Sequence, residues 1–262
     1  MRAVHQLLDA PPRILDDPLA VTLLGPTFTQ RLRDDAASYQ TQQRKALRAH
    51  VLLRSRFTED RLAASIERGI RQYVILGAGF DTFVLRQPPW ARSLQIFEID
   101  QAATQTRKRA LVAAADLTVA TNVHFAAVDL EHESLRDGLE RYSIDFGQPT
   151  FFSWLGVTMY LKHAAIQTVL QCVASFPVGS EVVLTFAPPP GHAPSPFDQR
   201  SADLGEPWIS HFEPDEMEAR LRAAGFSCID FLTPEEADVR YFQDRPRDLP
   251  LPRRTNIVAA VR

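Results

Sequence analysis

The 262-residue sequence predicts an α/β fold: a doubly wound, mostly parallel seven-stranded sheet with helices on both faces, an N-terminal helical extension and a lid region. Three observations carry this reading. Strand-like apolar runs alternate with helical patterns, and such alternation builds a parallel sheet covered on both sides. An apolar run at residues 73–76 passes at once into Gly77-Ala78-Gly79, and a second at residues 94–99 ends on Asp100. The chain then finishes as helix, strand, polar proline-rich connection and strand, which leaves room for an antiparallel last strand.

Each element has a local cause. Residues 1–30 read as a loop followed by a short helix, with Asp16 or Asp17 as cap and Pro18 in the first turn. Residues 39–66 read as a helix with Leu47, Val51, Phe57, Leu62 and Ile66 near one stripe, and most of its arginines (Arg44, Arg48, Arg56) are expected in solvent. Tyr73 to Leu76 is the kind of run a fully buried parallel strand needs. Asp81 and Thr82 open a turn that Pro88-Pro89 closes. Residues 102–115, rich in Ala, Arg, Lys and Gln, are a helix by propensity. Residues 123–130, 150–154 and 181–186 read as the third to fifth strands, with helices at 133–142 and 161–176 between them. Five prolines in residues 187–197 demand a loop, read as a lid over the cleft. Residues 214–224 form a helix with Pro214 near its start, Met217 and Leu221 on one face and Gly225 as its stop. Residues 226–232 and 256–261 are the last strands, and the arginines between them (Arg240, Arg245, Arg247, Arg253, Arg254) read as a solvated loop.

Composition excludes several classes. A net charge of −3 without a run of Lys and Arg leaves no electrostatic footprint for nucleic acid. No apolar stretch reaches the roughly 18 residues of a membrane span, and no apolar leader is evident, so a cytoplasmic location is expected. Cys172 and Cys228 sit in apolar contexts without metal-ligand spacing; reduced core thiols and no metal are the expectation.

The glycine stretch reads as a nucleotide site. Glycines allow a sharp turn and close approach of a ligand, and an acid at the end of the next strand can accept both hydroxyls of a ribose. A lone Gly-x-Gly also marks tight turns in unrelated α/β proteins. A nicotinamide-dependent oxidoreductase wants a third glycine where Thr82 stands, and a diphosphate beside Asp81 would meet a like charge. Asp81 instead suits an α-ammonium. Asp100 for a ribose, Asp81 for an ammonium and no phosphate cradle together describe S-adenosyl-L-methionine. Asp129 can accept from an adenine amino group while the Leu130 N–H donates to a ring nitrogen; equally, Asp129 can cap the helix after it.

With these residues placed, the sequence resembles the leucine carboxyl methyltransferase-like family of S-adenosyl-L-methionine-dependent O-methyltransferases, in particular its bacterial branch with polyketide O-methyltransferase relatives. The anchors are D-P-L-A from Asp17, R-S-R-F-T-E-D from Arg54, V-I-L-G-A-G-F-D-T from Val74 with Arg86, F-E-I-D-Q from Phe97, V-D-L from Val128, L-G-V-T-M-Y-L from Leu155 and G-E-P-W from Gly205. The resemblance implies a class I, Rossmann-like methyltransferase domain spanning 1–262: a helical extension (1–70) over the cofactor site, a cofactor-binding core (71–186), and a lid loop with C-terminal α-β-β (187–262). It implies Arg54 as the holder of the methionyl carboxylate, with Gly77, Ala78, Gly79 and Asp81 under the methionine and ribose. Asp100 with Gln101 would take the ribose, and Asp129 with Leu130 the adenine. Tyr160, Trp208 and His211 fall where the family lines its substrate cavity, for a small-molecule acceptor in secondary metabolism. One departure stands out: Leu155 replaces a glutamate common before the glycine of E-G-x-x-x-Y-L, which makes that wall apolar. The reaction implied is methyl transfer to a carboxylate or hydroxyl oxygen. A carboxylate needs no base; a hydroxyl wants one, with His211, His192 and His163 as candidates. A catalytically silent binding module of the same fold stays open beside it.

Overall fold

The computed structural model describes residues 1–190 and 205–262. Seven strands form one sheet: β1 (Gln72–Leu76), β2 (Gln95–Asp100), β3 (Val123–Ala127), β4 (Thr150–Trp154), β5 (Glu181–Thr185), β6 (Cys228–Phe231) and β7 (Ile257–Val261). Their order is β3-β2-β1-β4-β5-β7-β6. The first five are parallel, and β7 runs antiparallel between β5 and β6. Chain direction reverses across the sheet at β1, whose neighbours are β2 and β4, so a crevice opens at the carboxyl ends of β1 and β4.

Nine α-helices surround the sheet among the described residues: α1 (Arg2–Leu8), α2 (Leu19–Asp34), α3 (Gln42–Glu67), α4 (Phe83–Arg86), α5 (Ala102–Ala114), α6 (Leu135–Glu140), α7 (His163–Ala174), α8 (Pro214–Ala224) and α9 (Pro234–Ala237). Side-chain alternation along buried strands separates two cores. Val74, Leu76, Phe97, Phe152, Trp154 and Leu184 pack beneath α6, α7 and α8. Tyr73, Ile75, Ile96, Phe151 and Val183 pack on the other face with Leu52, Leu53 and Phe57 of α3 and Phe83 of α4. The second face carries the site.

The long helix α3 starts at Thr41, whose hydroxyl accepts from the Arg44 N–H, and is clamped to the sheet lower down. There the buried Glu181 of β5 accepts from Arg61 and from the Ser65 hydroxyl at 2.8 Å, and pairs with Arg68. That clamp fixes the height of Arg54 above the crevice. Helix α8 has the predicted ends: Pro214 in its first turn and Gly225 at φ 111° as its stop.

Five expectations are corrected. Residues 2–8 are helical, and Arg48 is fully buried rather than solvated: its guanidinium grips both oxygens of Asp9 at 2.7 and 2.8 Å. His5 joins them, its Nδ1 2.8 Å from Asp9 while Nε2 accepts the Ile14 N–H, so one polar knot fastens α1 to α3. Arg245 is likewise buried, donating to the carbonyls of Ala10 and Pro12 and pairing with Asp248. Cys228 is exposed at the outer strand β6, although Cys172 is buried as expected. The connection before β7 contains α9 and a wider turn at Asp238–Phe242, because Thr233 caps Pro234 and starts a helix.

Candidate cofactor site

A cavity of about 300 Å³ lies at the carboxyl ends of β1 and β4, roofed by α3 and by the start of α1. Its floor turn is built for close approach. Gly77 and Gly79 have φ of +65° and +51°, and a Cβ on Gly77 would stand 2.3 Å from Val157 Cγ2. The N–H groups of Gly77 and Ala78 both donate to the Ile99 carbonyl, which ties the turn to β2.

Asp100 is held for its task. Its Oδ2 accepts the Gly79 N–H at 2.5 Å and its Oδ1 the Gln101 N–H at 2.7 Å, so the carboxylate is oriented while each oxygen keeps acceptor capacity. The Val128 N–H donates to the Asp100 carbonyl and sets the end of β3 beside it. Asp129 follows, its Oδ1 accepting from the Glu131 N–H and its Oδ2 3.0 Å from His132 Nδ1. The Asp129 carbonyl also accepts from the N–H groups of His132 and Glu133, so Asp129 closes a turn; it does not cap the helix after it, α6, whose cap is Ser134 with its hydroxyl accepting the Asp137 N–H. Leu130 is buried in the first core. Arg54, Gly77, Ala78, Gly79 and Asp81 line the cavity; Asp100, Gln101, Asp129 and Leu130 continue the row outside its walls, across the ends of β2 and β3.

Arg54 is the unusual cation. It faces the cavity with its guanidinium against Gly156, where a Cβ would lie 2.5 Å from Nη1. Burial and the nearby Arg2 lower its pKa to about 10, so it stays charged at neutral pH. Among the described residues no carboxylate forms an ion pair with it. Beside it His50 is pushed down to about 3 by burial and by Arg54, and is neutral.

Asp81 is differently placed. Its Oδ2 accepts from Arg2 Nη1 at 2.6 Å and its Oδ1 from the Phe83 N–H at 2.7 Å. Burial opposes ionisation, but Arg2, Lys108 and Arg86 prevail and hold it at about 2. The free carboxylate expected for an ammonium is thus already matched by Arg2, which reaches in from α1 and also bonds the Phe80 carbonyl. Sequence reasoning missed Arg2 because nothing local links it to a turn 79 residues away. Deeper, Arg86 forks onto Glu59 and approaches Asp17, while Thr82 donates to Asp17 at 2.7 Å. This buried net explains the D-P-L-A and R-S-R-F-T-E-D segments.

The expected substrate-side residues sit elsewhere. Tyr160 ends a short turn near Arg54, and the Ile209 and Ser210 N–H groups donate to the Met159 carbonyl, which docks the Trp208 segment beside that turn. Trp208 Nε1 is buried without a partner, and the His211 ring lies 6.5 Å from the indole. Neither residue, nor Tyr160, lines the cavity described above; Leu155 does. His163 leans on the Phe212 ring with Arg220 nearby, a packing role. His192 lies outside the described residues. Among the described residues no helix is long and apolar enough to cross a membrane, and no cluster fits a metal ion.

A seven-stranded sheet with an inserted antiparallel strand, a glycine turn without phosphate character and an acid at the end of β2 define a class I S-adenosyl-L-methionine-dependent methyltransferase. A half-buried cation that no carboxylate pairs with among the described residues, and a positive-φ turn, fit that cofactor's carboxylate and its close approach. The chain belongs to the leucine carboxyl methyltransferase family, whose model matches residues 1–174. A Bacillus subtilis (strain 168) protein named "Putative S-adenosyl-L-methionine-dependent methyltransferase YktD" is 32% identical over 209 residues, covering 76% of this chain and 67% of the relative. A similarly named protein of Mycobacterium marinum (strain ATCC BAA-535 / M) is 28% identical over 203 residues, 75% of this chain and 66% of that one. The chain thus spans about two thirds of the length of these relatives. A solved DUF574 family protein from Streptomyces avermitilis MA-4680 has the same fold, with a TM-score of 0.56 at 16% identity, covering 99% of this chain and 95% of that one.

Proposed function

We propose that this chain transfers the sulfonium methyl of S-adenosyl-L-methionine to an oxygen, carboxylate or hydroxyl, of a small molecule. The observation that carries the reading is Arg54, a cavity-facing cation without a carboxylate partner among the described residues, at one end of a row that runs past the backbone-held Asp100. Arg54 takes the methionyl carboxylate, and Gly77 to Gly79 pass under the methionine and ribose. Asp100 with Gln101 holds the ribose, and Asp129 with the Leu130 N–H meets the adenine. Asp81, shared with Arg2, faces the ammonium.

The cofactor supplies an activated methyl with a good leaving group, so the protein's task is alignment. Holding the reacting atoms about 3 Å apart and in line is worth roughly 7–11 kcal/mol of the barrier. Leu155 gives the acceptor side an apolar wall, which favours an acceptor with a hydrophobic body. Tyr160, Trp208 and His211 border that side; His211 is the candidate base for a hydroxyl acceptor.

Calorimetry with S-adenosyl-L-methionine and S-adenosylhomocysteine tests the cofactor half of the proposal. Binding of both is expected, and no heat with either would sink it, leaving a silent module of the same fold. The oxygen half is tested by incubating labelled cofactor with panels of carboxylic acids, phenols and amines. Label confined to amine products would refute it.

A further inference from the structure

We propose that filling the cofactor cavity releases a proton from Glu98, a buried carboxyl with one lysine partner that stands two residues before the acid at the end of β2. This rests on the cofactor reading above and concerns a residue that the reading leaves without a role. Glu98 lies on β2 opposite Ile75 of β1, which lines the cavity, and two residues before Asp100. It is fully buried, as is Lys108 of α5. Glu98 Oε1 accepts from Lys108 Nζ at 2.5 Å, whereas Oε2 is buried without any partner.

The charged groups around Glu98 are Lys108 on α5, Asp81 in the glycine turn and Asp100 on its own strand. Among the described residues Lys108 contacts Glu98 alone of the three carboxylates, and the three are unequally served. Asp81 has Arg2 and the Phe83 N–H; Asp100 has the N–H groups of Gly79 and Gln101. Glu98 has a single hydrogen bond for two oxygens. In such a cluster the least compensated carboxyl is the one that keeps its proton, because its negative charge would be buried near two others with a single hydrogen bond to hold it. Burial raises Glu98 to about 7; Lys108 opposes the rise, and Asp81 and Asp100 add to it.

A ligand carrying a sulfonium and an ammonium brings positive charge to this cluster. The O–H bond of the Glu98 carboxyl then breaks, its electron pair stays on the oxygen, and the proton passes to the buffer. The site gains one charge with the ligand and sheds one as the proton.

The test is calorimetry of S-adenosyl-L-methionine at pH 7 in phosphate and in Tris, whose ionisation enthalpies differ widely. The heat should differ between buffers by an amount matching release of up to about half a proton per site, since a group near its pKa is half protonated. S-adenosylhomocysteine, without the sulfonium charge, should release less. A Glu98→Gln variant should bind with the same heat in both buffers. Affinity of the parent for S-adenosyl-L-methionine should rise from pH 6 to pH 8 by at most about tenfold per unit, with the variant flat. Equal heats for the parent in both buffers, or a buffer dependence that survives in Glu98→Gln, would overturn the inference. If circular dichroism shows that the variant does not fold, the parent alone decides: equal proton release by the two ligands overturns it. No binding of either ligand would instead remove the cofactor reading and the inference with it.

Discussion

At the scale of single residues, the arginines divide by what answers their charge. Arg54 faces a ligand cavity without a carboxylate partner among the described residues, while Arg48 is sealed onto Asp9. Replacing Arg54 by Met should weaken S-adenosylhomocysteine binding by about 10- to 100-fold, the worth of one charge-assisted contact, with folding intact by circular dichroism. Replacing Arg48 by Leu should do the reverse kind of damage: about 3–5 kcal/mol of stability lost in urea titration, because Asp9 is left buried without its arginine and with His5 as its one side-chain partner. Adding Asp9→Asn should recover part of that loss. Little of this division was legible in the sequence. Arg44, Arg48, Arg54 and Arg56 share one helix and one composition, and the burial of two of them depends on Asp9 and Gly156, each brought in by the fold. Only the family segment around Arg54 singled it out.

At the scale of elements, local signals did most where they were redundant. Helix α8 has Pro at one end, Gly at the other and two apolar residues on one face, and both ends agree with the reading. Strand β4 was legible because all five of its residues are buried and its ends are abrupt. Helix α1 was not, since seven residues hold too little pattern and its support is the distant His5–Asp9–Arg48 knot. The glycine turn was legible as a turn, but the reason Gly77 must be glycine is Val157, 80 positions away in the chain. A Gly77→Ala variant should lose at least about 1–2 kcal/mol for its left-handed backbone alone, plus the clash with Val157. It should also bind S-adenosylhomocysteine less well, because the turn cannot stay in place; thermal melts with and without the ligand separate the two effects.

At the scale of the whole molecule, the parallel sheet followed from the order of strand and helix patterns, which left room for its antiparallel ending; the switch at β1 was not read from the sequence. What the order could not give was the charge layout between sheet and α3 to α5, since each pair there joins separate elements: Arg2 with Asp81, Arg86 with Glu59, Lys108 with Glu98. That layout has a consequence for stability against pH. The folded chain raises Glu98 from an ordinary 4.5 to about 7, so between those values it binds a proton that the unfolded chain has lost. This contribution is present in full below the unfolded value and disappears as pH rises through about 7. The Tm of Glu98→Gln relative to the parent should therefore increase from pH 5 to pH 8, and a constant difference would contradict the assignment.

Strand β7 touches β5 and β6, and among the described residues β6 has no other strand neighbour. Order of synthesis then matters. Until residues 257–261 have left the ribosome, β5 presents an open hydrogen-bonding edge and β6 has nothing to pair with. The sheet is completed by its last strand, sliding between two that were made earlier. A nascent or truncated chain lacking that strand would expose two unpaired edges at once, the template for pairing with another molecule. The same insertion that distinguishes this sheet thus makes its completion wait for residues 257–261, and chains cut before Ile257 should be recovered as aggregates rather than as monomers with a weakened site.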